Sequence, residues 1–309
     1  MRIVLSLFCF VFTTSFLYGK NALVTYFGAE ETQIALQDWE TGKIKQKFGF
    51  KLDTLKAFYH TPSQKLIFFA PNRTEFSIYT ANANTFLKSN IGMDVEFVSY
   101  LAQKDIFIAQ DNKTFQLILL RLSTEPTPQF TIIDQIPFQE KLISSFNAEN
   151  NKFYFLTSKK LYLIDFEKNN TLHEVYMFND YSFNKIIAVL LDNTIFLQAN
   201  NYYVHFDLTS KKVKDLKKGF LVLSETPDIV FMSHRGDQDK NVIINKKTRN
   251  LRQNAVKNPA EKIIFTPDSK NVYFLTRKSV KLYQFNENKL IHKFSFGKNA
   301  GQINLFFID

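Results

Sequence analysis

A segment of four short apolar runs recurs along this chain about every 41 residues, and this recurrence constrains the fold more tightly than any other feature. Residues 262–296 read KIIFTPDSKNVYFLTRKSVKLYQFNENKLIHKFSF, and residues 56–89 read KAFYHTPSQKLIFFAPNRTEFSIYTANANTFLKS. A third copy, residues 142–178, reads LISSFNAENNKFYFLTSKKLYLIDFEKNNTLHEVYMF. Turn residues part the runs, as in His60-Thr61-Pro62-Ser63-Gln64 and Thr266-Pro267-Asp268-Ser269-Lys270. Proline pre-sets φ there, and Ser, Asp and Asn hydrogen-bond their own backbone, so tight hairpins form. The second run is the plainest. It appears seven times, at residues 22–28, 65–70, 105–110, 152–158, 194–200, 228–234 and 271–277.

Four short strands repeating at 40–45 residues predict an all-β chain, a seven-bladed β-propeller of four-stranded antiparallel blades. A lone hairpin is marginal, but stacked blades bury both faces. The 34 Phe and 13 Tyr residues suit packing between such sheets. The chain enters on a second strand, Ala22 to Gly28, and its last eight residues, QINLFFID, have the period of a first strand with no second strand after it. This C-terminal strand is therefore expected to complete the N-terminal blade and remove an open edge.

Residues 1–19 read as a secretory signal: Arg2, an apolar run from Ile3 to Phe12, and small Gly19 before Lys20. The run is too short to span a bilayer comfortably, so cleavage and no stable membrane insertion are expected. Residues 20–309 then form a single domain. Cys9 is the only cysteine and lies inside the signal, which leaves no disulfide, thiolate metal site or thiol nucleophile afterwards. A periplasmic monomer is expected.

The net charge is +10. Export argues against nucleic acid, so the expected partner is another periplasmic protein with an acidic surface. The loop after the second strand carries a cation in five of seven repeats: Arg73, Lys113, Lys159, Arg235, and Arg277 with Lys278. Composition alone would give about three. In a propeller these loops share one face, so these residues are the candidate protein-binding crown. A second basic run, Lys211 to Lys218, falls on an outer strand, where Lys also guards an edge against aggregation.

Catalytic, cofactor and metal residues are not predicted. The histidines, His60, His173, His205, His234 and His292, occupy different repeat positions, and none has a ligand-like spacing. His60 and His234 lie nearest loop ends. A hydrolase of the lactonase kind remains an alternative, because such enzymes gather polar groups from several blades at the central channel.

The turn Thr266-Pro267-Asp268-Ser269-Lys270 before Asn271–Leu275, and the hairpin Asp38-Trp39-Glu40-Thr41-Gly42-Lys43, carry a resemblance. They resemble exported bacterial propeller repeats of the WD40-like or YVTN-like kind, in which SPDGK precedes the second strand and D-x-x-T-G-K joins the third to the fourth. The intracellular WD40 variety is a poorer match, since Trp39 is the only Trp. The signal, the cysteine-free remainder and the seven divergent repeats also resemble NapL-type accessory proteins of periplasmic nitrate reductase systems. That resemblance implies a non-catalytic accessory or scaffold role in electron transfer or maturation. A scaffold for cell-envelope assembly is a further alternative.

Overall fold

The computed structural model describes all residues except 1–19, 28–31, 51–55, 70–72, 81–84, 125–126, 149–150, 169, 191–192, 227, 236–239, 246, 249–250, 255–259, 297–300 and 309. The expected signal segment lies outside the described residues. Among those described, the chain is all-β, with two short 3-10 turns at Thr61–Ser63 and Ala102–Lys104.

The strands form antiparallel sheets that follow one another along the chain. Five have four strands and one has seven. Each predicted second run is a strand, from Asn21–Phe27 through Ile106–Asp111 to Asn271–Leu275. These strands are apolar along their length because the sheet is covered on both faces. In Asn271–Leu275 all five residues are buried. Fourth strands such as Gln129–Ile136 and Lys289–Ser295 are mostly exposed, which places them at the outside.

The seven-stranded sheet departs from the expected pattern. It contains two repeats, because residues Thr85–Leu101 run as a single 17-residue strand. Its first part pairs with Arg73–Thr80 and its second part with Ile106–Asp111. Gly92, at φ +83, lies at the changeover, and its N–H donates to Asn90 Oδ1 at 2.6 Å. The bond replaces a loop that the repeat pattern would lead one to expect.

First strands converge. Ser144 Oγ accepts from Ile186 N at 3.0 Å, Ser145 Oγ meets Ser99 Oγ at 3.0 Å, and Lys56 Nζ donates to Val98 O at 2.8 Å. Each bond joins the first strand of one repeat to the first strand of the next. The first strands are therefore the inner ones.

Among the described residues, seven apolar clusters lie between the repeats, and their membership runs in order along the chain. Leu23 and Ile34 pack with Leu66 and Tyr79, and Ile67 and Phe69 with Phe107 and Leu120. Phe97 and Ile108 pack with Phe153 and Phe155, and Leu156 and Leu161 with Ile195 and Phe206. Phe196 and Tyr203 meet Leu221, and Phe231 meets Phe265 and Phe285. The last cluster joins Tyr273 and Leu282 to Ala22, Val24, Ile303 and Leu305. Aromatic pairs carry much of this packing. Phe107 has Phe58, Phe69 and Phe130 within 5.9 Å, 5.7 Å and 5.2 Å, in edge or tilted contact.

The C-terminal strand Gln302–Ile308 pairs with Asn21–Phe27 over its full length, from Phe27↔Gln302 to Asn21↔Ile308. It occupies the first-strand position of the N-terminal sheet.

Hairpin chemistry follows the repeat. Asp38 Oδ1 accepts from Glu40 N, Thr41 N and Thr41 Oγ1 at 3.1, 2.8 and 2.9 Å. Asp207 and Asn245 do the same for the two residues at the tip of their own third-to-fourth hairpins. Gly42 in this turn has φ +70, and a Cβ there would come within 2.8 Å of His292 Cβ. The glycine of the D-x-x-T-G-K turn is thus fixed by backbone hand and by a neighbour.

Candidate functional site

The five crown residues lie at the junctions between second and third strands, two of them within strands and three in turns. Arg73 opens the strand Arg73–Thr80, and Arg235 closes the strand Ile229–Arg235. Lys113, Lys159 and Arg277 lie in the turns between second and third strands and are exposed. Lys278 is exposed beside Arg277. Arg277 is less available than the sequence suggests, because its Nε donates to Glu261 Oε1 at 2.7 Å.

Residues leading into the following repeat hold two of these hairpins: Phe183 N donates to Ser158 O at 3.1 Å and Gly301 N to Arg277 O at 2.9 Å, while Phe178 N, at the end of the same repeat's fourth strand, donates to Lys159 O at 2.7 Å. Two buried glutamines make the same connection with side chains. Gln110 Nε2 donates to Phe115 O and Glu140 O at 3.0 and 2.8 Å, and its Oε1 accepts from Leu142 N at 2.9 Å. Gln198 Nε2 donates to Ala199 O, Tyr202 O and Gly219 O at 2.7, 2.9 and 3.1 Å, while Oε1 accepts from Leu221 N at 3.3 Å. Each glutamine ties its own hairpin to the entry of the next inner strand. Sequence reading missed both, since one amide inside an apolar run gives little signal.

The inner strands bring a second set of cations to this face. Lys56, Lys185 and Lys262 are each the first residue of an inner strand. Their partners, Phe69, Gln198 and Leu275, each end a second strand. Lys56 also lies over the Phe97 ring, 4.4 Å from its centroid. Lys262 Nζ donates to Asn304 Oδ1. Desolvation pushes Lys56 and Lys262 down to about 8, and the charge of Lys185 adds to the effect on Lys262. Lys185 is lowered by desolvation and partly restored by Glu261. A signal for these lysines was present in the repeated Lys before KAFYH and KIIF, but an isolated Lys reads as surface.

On the opposite hairpins, His60 ends the strand Lys56–His60 beside the turn Thr61–Ser63, near a loop end as its sequence reading has it, and it is buried. Its Nδ1 meets Ser63 Oγ at 2.7 Å and its Nε2 meets Asp105 Oδ1 at 2.7 Å. Tyr100 Oη donates to the same carboxylate oxygen at 3.0 Å. The order Ser, His, Asp is that of a nucleophile, base and orienting acid. The imidazole, however, has only 3% of its side chain exposed and is stacked on Phe107, so it cannot meet a substrate. It staples the first hairpin of one repeat to that of the next.

Burial lowers the His60 pKa more than Asp105 raises it. The unfolded chain therefore binds the proton more readily than the folded one. Stability should decline as pH falls through about 6.5 and level off below the folded value. Urea midpoints measured between pH 7.5 and 5 check this, and His60→Gln should remove that part of the slope. An unchanged slope would show that His60 does not titrate against burial.

A cleft of about 710 Å³ lies at the outside, lined by Asp134, Phe138, Glu140, Tyr162, Leu172 and Glu174 among others. Lys160 Nζ bridges Glu140 and Glu174 at 2.8 and 3.2 Å, and Tyr162 Oη donates to Glu140 at 2.7 Å. Both carboxylates and the ammonium are thereby engaged. Among the described residues no group of three or more His, Cys, Asp or Glu side chains is placed to hold a metal ion. Among them also, no helix is long and apolar enough to cross a membrane.

No protein-family model matches the chain, and no curated protein matches it. Solved structures do. The chain is similar to dihydro-heme d1 dehydrogenase NirN in complex with DHE, with a TM-score of 0.58 and 10% identity over 91% of this chain and 74% of that one. It is similar to a protein from Lactobacillus plantarum, with a TM-score of 0.62 and 11% identity over 93% and 99% of the two chains. A third similar structure is from Bacteroides uniformis and is provisionally named a 6-phosphogluconolactonase. It has a TM-score of 0.60 and 10% identity over 93% and 99%. At these identities the likeness is one of fold, and it supports a β-propeller of antiparallel four-stranded repeats.

Proposed function

We propose that this chain is an exported, seven-bladed β-propeller that binds an acidic protein through the face carrying its second-to-third-strand hairpins. Seven interfacial clusters whose last member joins the final repeat to the first support the seven-blade ring, with Gln302–Ile308 as its closing strand. The periplasm is the proposed compartment, and the NapL-type accessory role is the specific form of this reading.

The observation that carries the binding role is that the five cationic positions share the second-to-third-strand junctions, with the hairpins of Lys113, Lys159 and Arg277 bonded to the residues that lead into the next repeat. Rigid, like-charged hairpins on one face create a field that steers an acidic surface. Each exposed contact is worth only about 0–1 kcal/mol, so the effect lies in the sum and in the association rate. A second reading, a small-molecule enzyme, is favoured by the names of two similar structures, NirN and the provisional lactonase.

Capture from a periplasmic extract identifies the partner, and stopped-flow association then tests the face. Lys113→Glu, Lys159→Glu and Lys278→Glu together should slow association severalfold at low salt and leave the melting temperature within a few degrees. Lys211→Glu with Lys217→Glu, in the turn before the outer strand Lys212–Lys218 and on it, should leave the rate unchanged. Loss of binding in the outer pair alone would place the partner on the rim and overturn the assignment.

A further inference from the structure

We propose that the inner-strand rim binds a small organic anion, an apolar or aromatic body bearing a phosphate or carboxylate, through Lys185, Lys262 and the amide of Asn304. The two lysines hold the same register, each opening an inner strand opposite the last residue of its second strand, Gln198 and Leu275. Between their strands lies one other inner strand, Phe220–Glu225. Its first residue, Phe220, is 50% exposed, an unusual state for a phenylalanine in a chain whose other large rings are mostly buried.

Donors outnumber acceptors at this place. Asn304 gives its Oδ1 to Lys262, which commits the amide orientation. Its Nδ2 is buried and has no hydrogen-bond partner among the described residues. An unmet buried donor is costly, and an oxyanion would satisfy it. Lys185 has no hydrogen-bonded acceptor among the described residues. Glu261 is the carboxylate that acts on it, and Glu261 Oε1 is already taken by Arg277. Lys185 is solvent-exposed, and the protein around it partly desolvates its ammonium. Two ammonium groups on the inner strands either side of the one that opens with a half-exposed ring fit a ligand with a charged head and an apolar body.

Calorimetric titration of the full chain at pH 7 with phenyl phosphate, and separately with inorganic phosphate, tests this. Phenyl phosphate should saturate one site per chain, and bind at least about tenfold more tightly than inorganic phosphate. Lys185→Gln and Lys262→Gln should each weaken it by about tenfold or more. Phe220→Ala should remove the preference for the phenyl compound and spare phosphate binding. Lys113→Glu with Lys159→Glu should change neither, which separates this site from the proposed protein-binding crown. A benzoate titration distinguishes a carboxylate head from a phosphate one. Should a lysine variant fail to fold, acetic anhydride footprinting of the unaltered chain gives the same answer. Phenyl phosphate should slow acylation of Lys185 and Lys262 but not of Lys211. Absence of saturable binding at millimolar ligand, or binding that neither lysine variant weakens and that protects neither lysine, would overturn the proposal.

Discussion

A chain ending at Gly301 should melt more than about 10 °C below the intact protein and lose its sharp transition. The deletion removes the strand Gln302–Ile308 and with it a full antiparallel ladder to Asn21–Phe27. It also removes buried Ile303 and Leu305 from the cluster that joins the last sheet to the first. Burying one such side chain is worth about 1.5–3 kcal/mol, and the exposed ladder adds an open edge. The combined loss is about 5 kcal/mol or more, a large part of the 5–15 kcal/mol that stabilises a typical domain. At about 2–4 °C per kcal/mol for a large domain, the shift exceeds 10 °C. Differential scanning calorimetry of the two chains measures it. Leu305→Ala gives a graded version, at about 2–5 kcal/mol. An unchanged melting curve for the truncated chain would show that the terminal strand contributes little and that the first and last sheets hold together without it.

The second large effect is expected at Gln198→Leu. Leucine nearly keeps the volume but leaves Gly219 O, Ala199 O and Leu221 N without the amide that they share. A buried polar group left unmet costs about 1–3 kcal/mol, so a loss of about 3 kcal/mol is expected, or about 5–10 °C. Gln198 makes four hydrogen bonds where Gln110 makes three, so Gln198→Leu should cost more than Gln110→Leu. Urea denaturation of the two variants decides this, and equal or reversed losses would mean that the amide does not carry the joint.

The second strands were legible because both their faces are covered. A run such as NVYFL has no polar face to display, so it stands out as continuous apolar sequence. Hairpins were legible through Asp38 and Gly42, whose roles are local and so are written within six residues. The merged strand Thr85–Leu101 was not legible. Gly92 reads as a turn, and only the Asn90 bond and the pairing on both sides show that the strand runs through it. The burial of His60 was not legible for a related reason. Its partner Asp105 lies 45 residues away in the next repeat, and nothing near His60 in the sequence reveals that contact. Lys185 and Lys262 were hidden by register. Their shared position appears only when each is set against the end of its second strand.

The continuous strand from Thr85 to Leu101 has a consequence for how the molecule opens. Most other junctions between repeats pass through non-strand residues, such as 178–184, where hydrogen bonds can break locally while each sheet stays intact. Across Thr85–Leu101 the strand itself continues from one repeat into the next, and its ladder is handed on at Val95, which faces both Arg73 and Asp111, past four residues, Ile91–Asp94, that pair with neither strand. Separating these two repeats requires breaking a strand and not loosening a joint. The described residues between 56 and 136 are therefore expected to open as one exchange unit larger than its neighbours, with amides on both sides of Gly92 exchanging together.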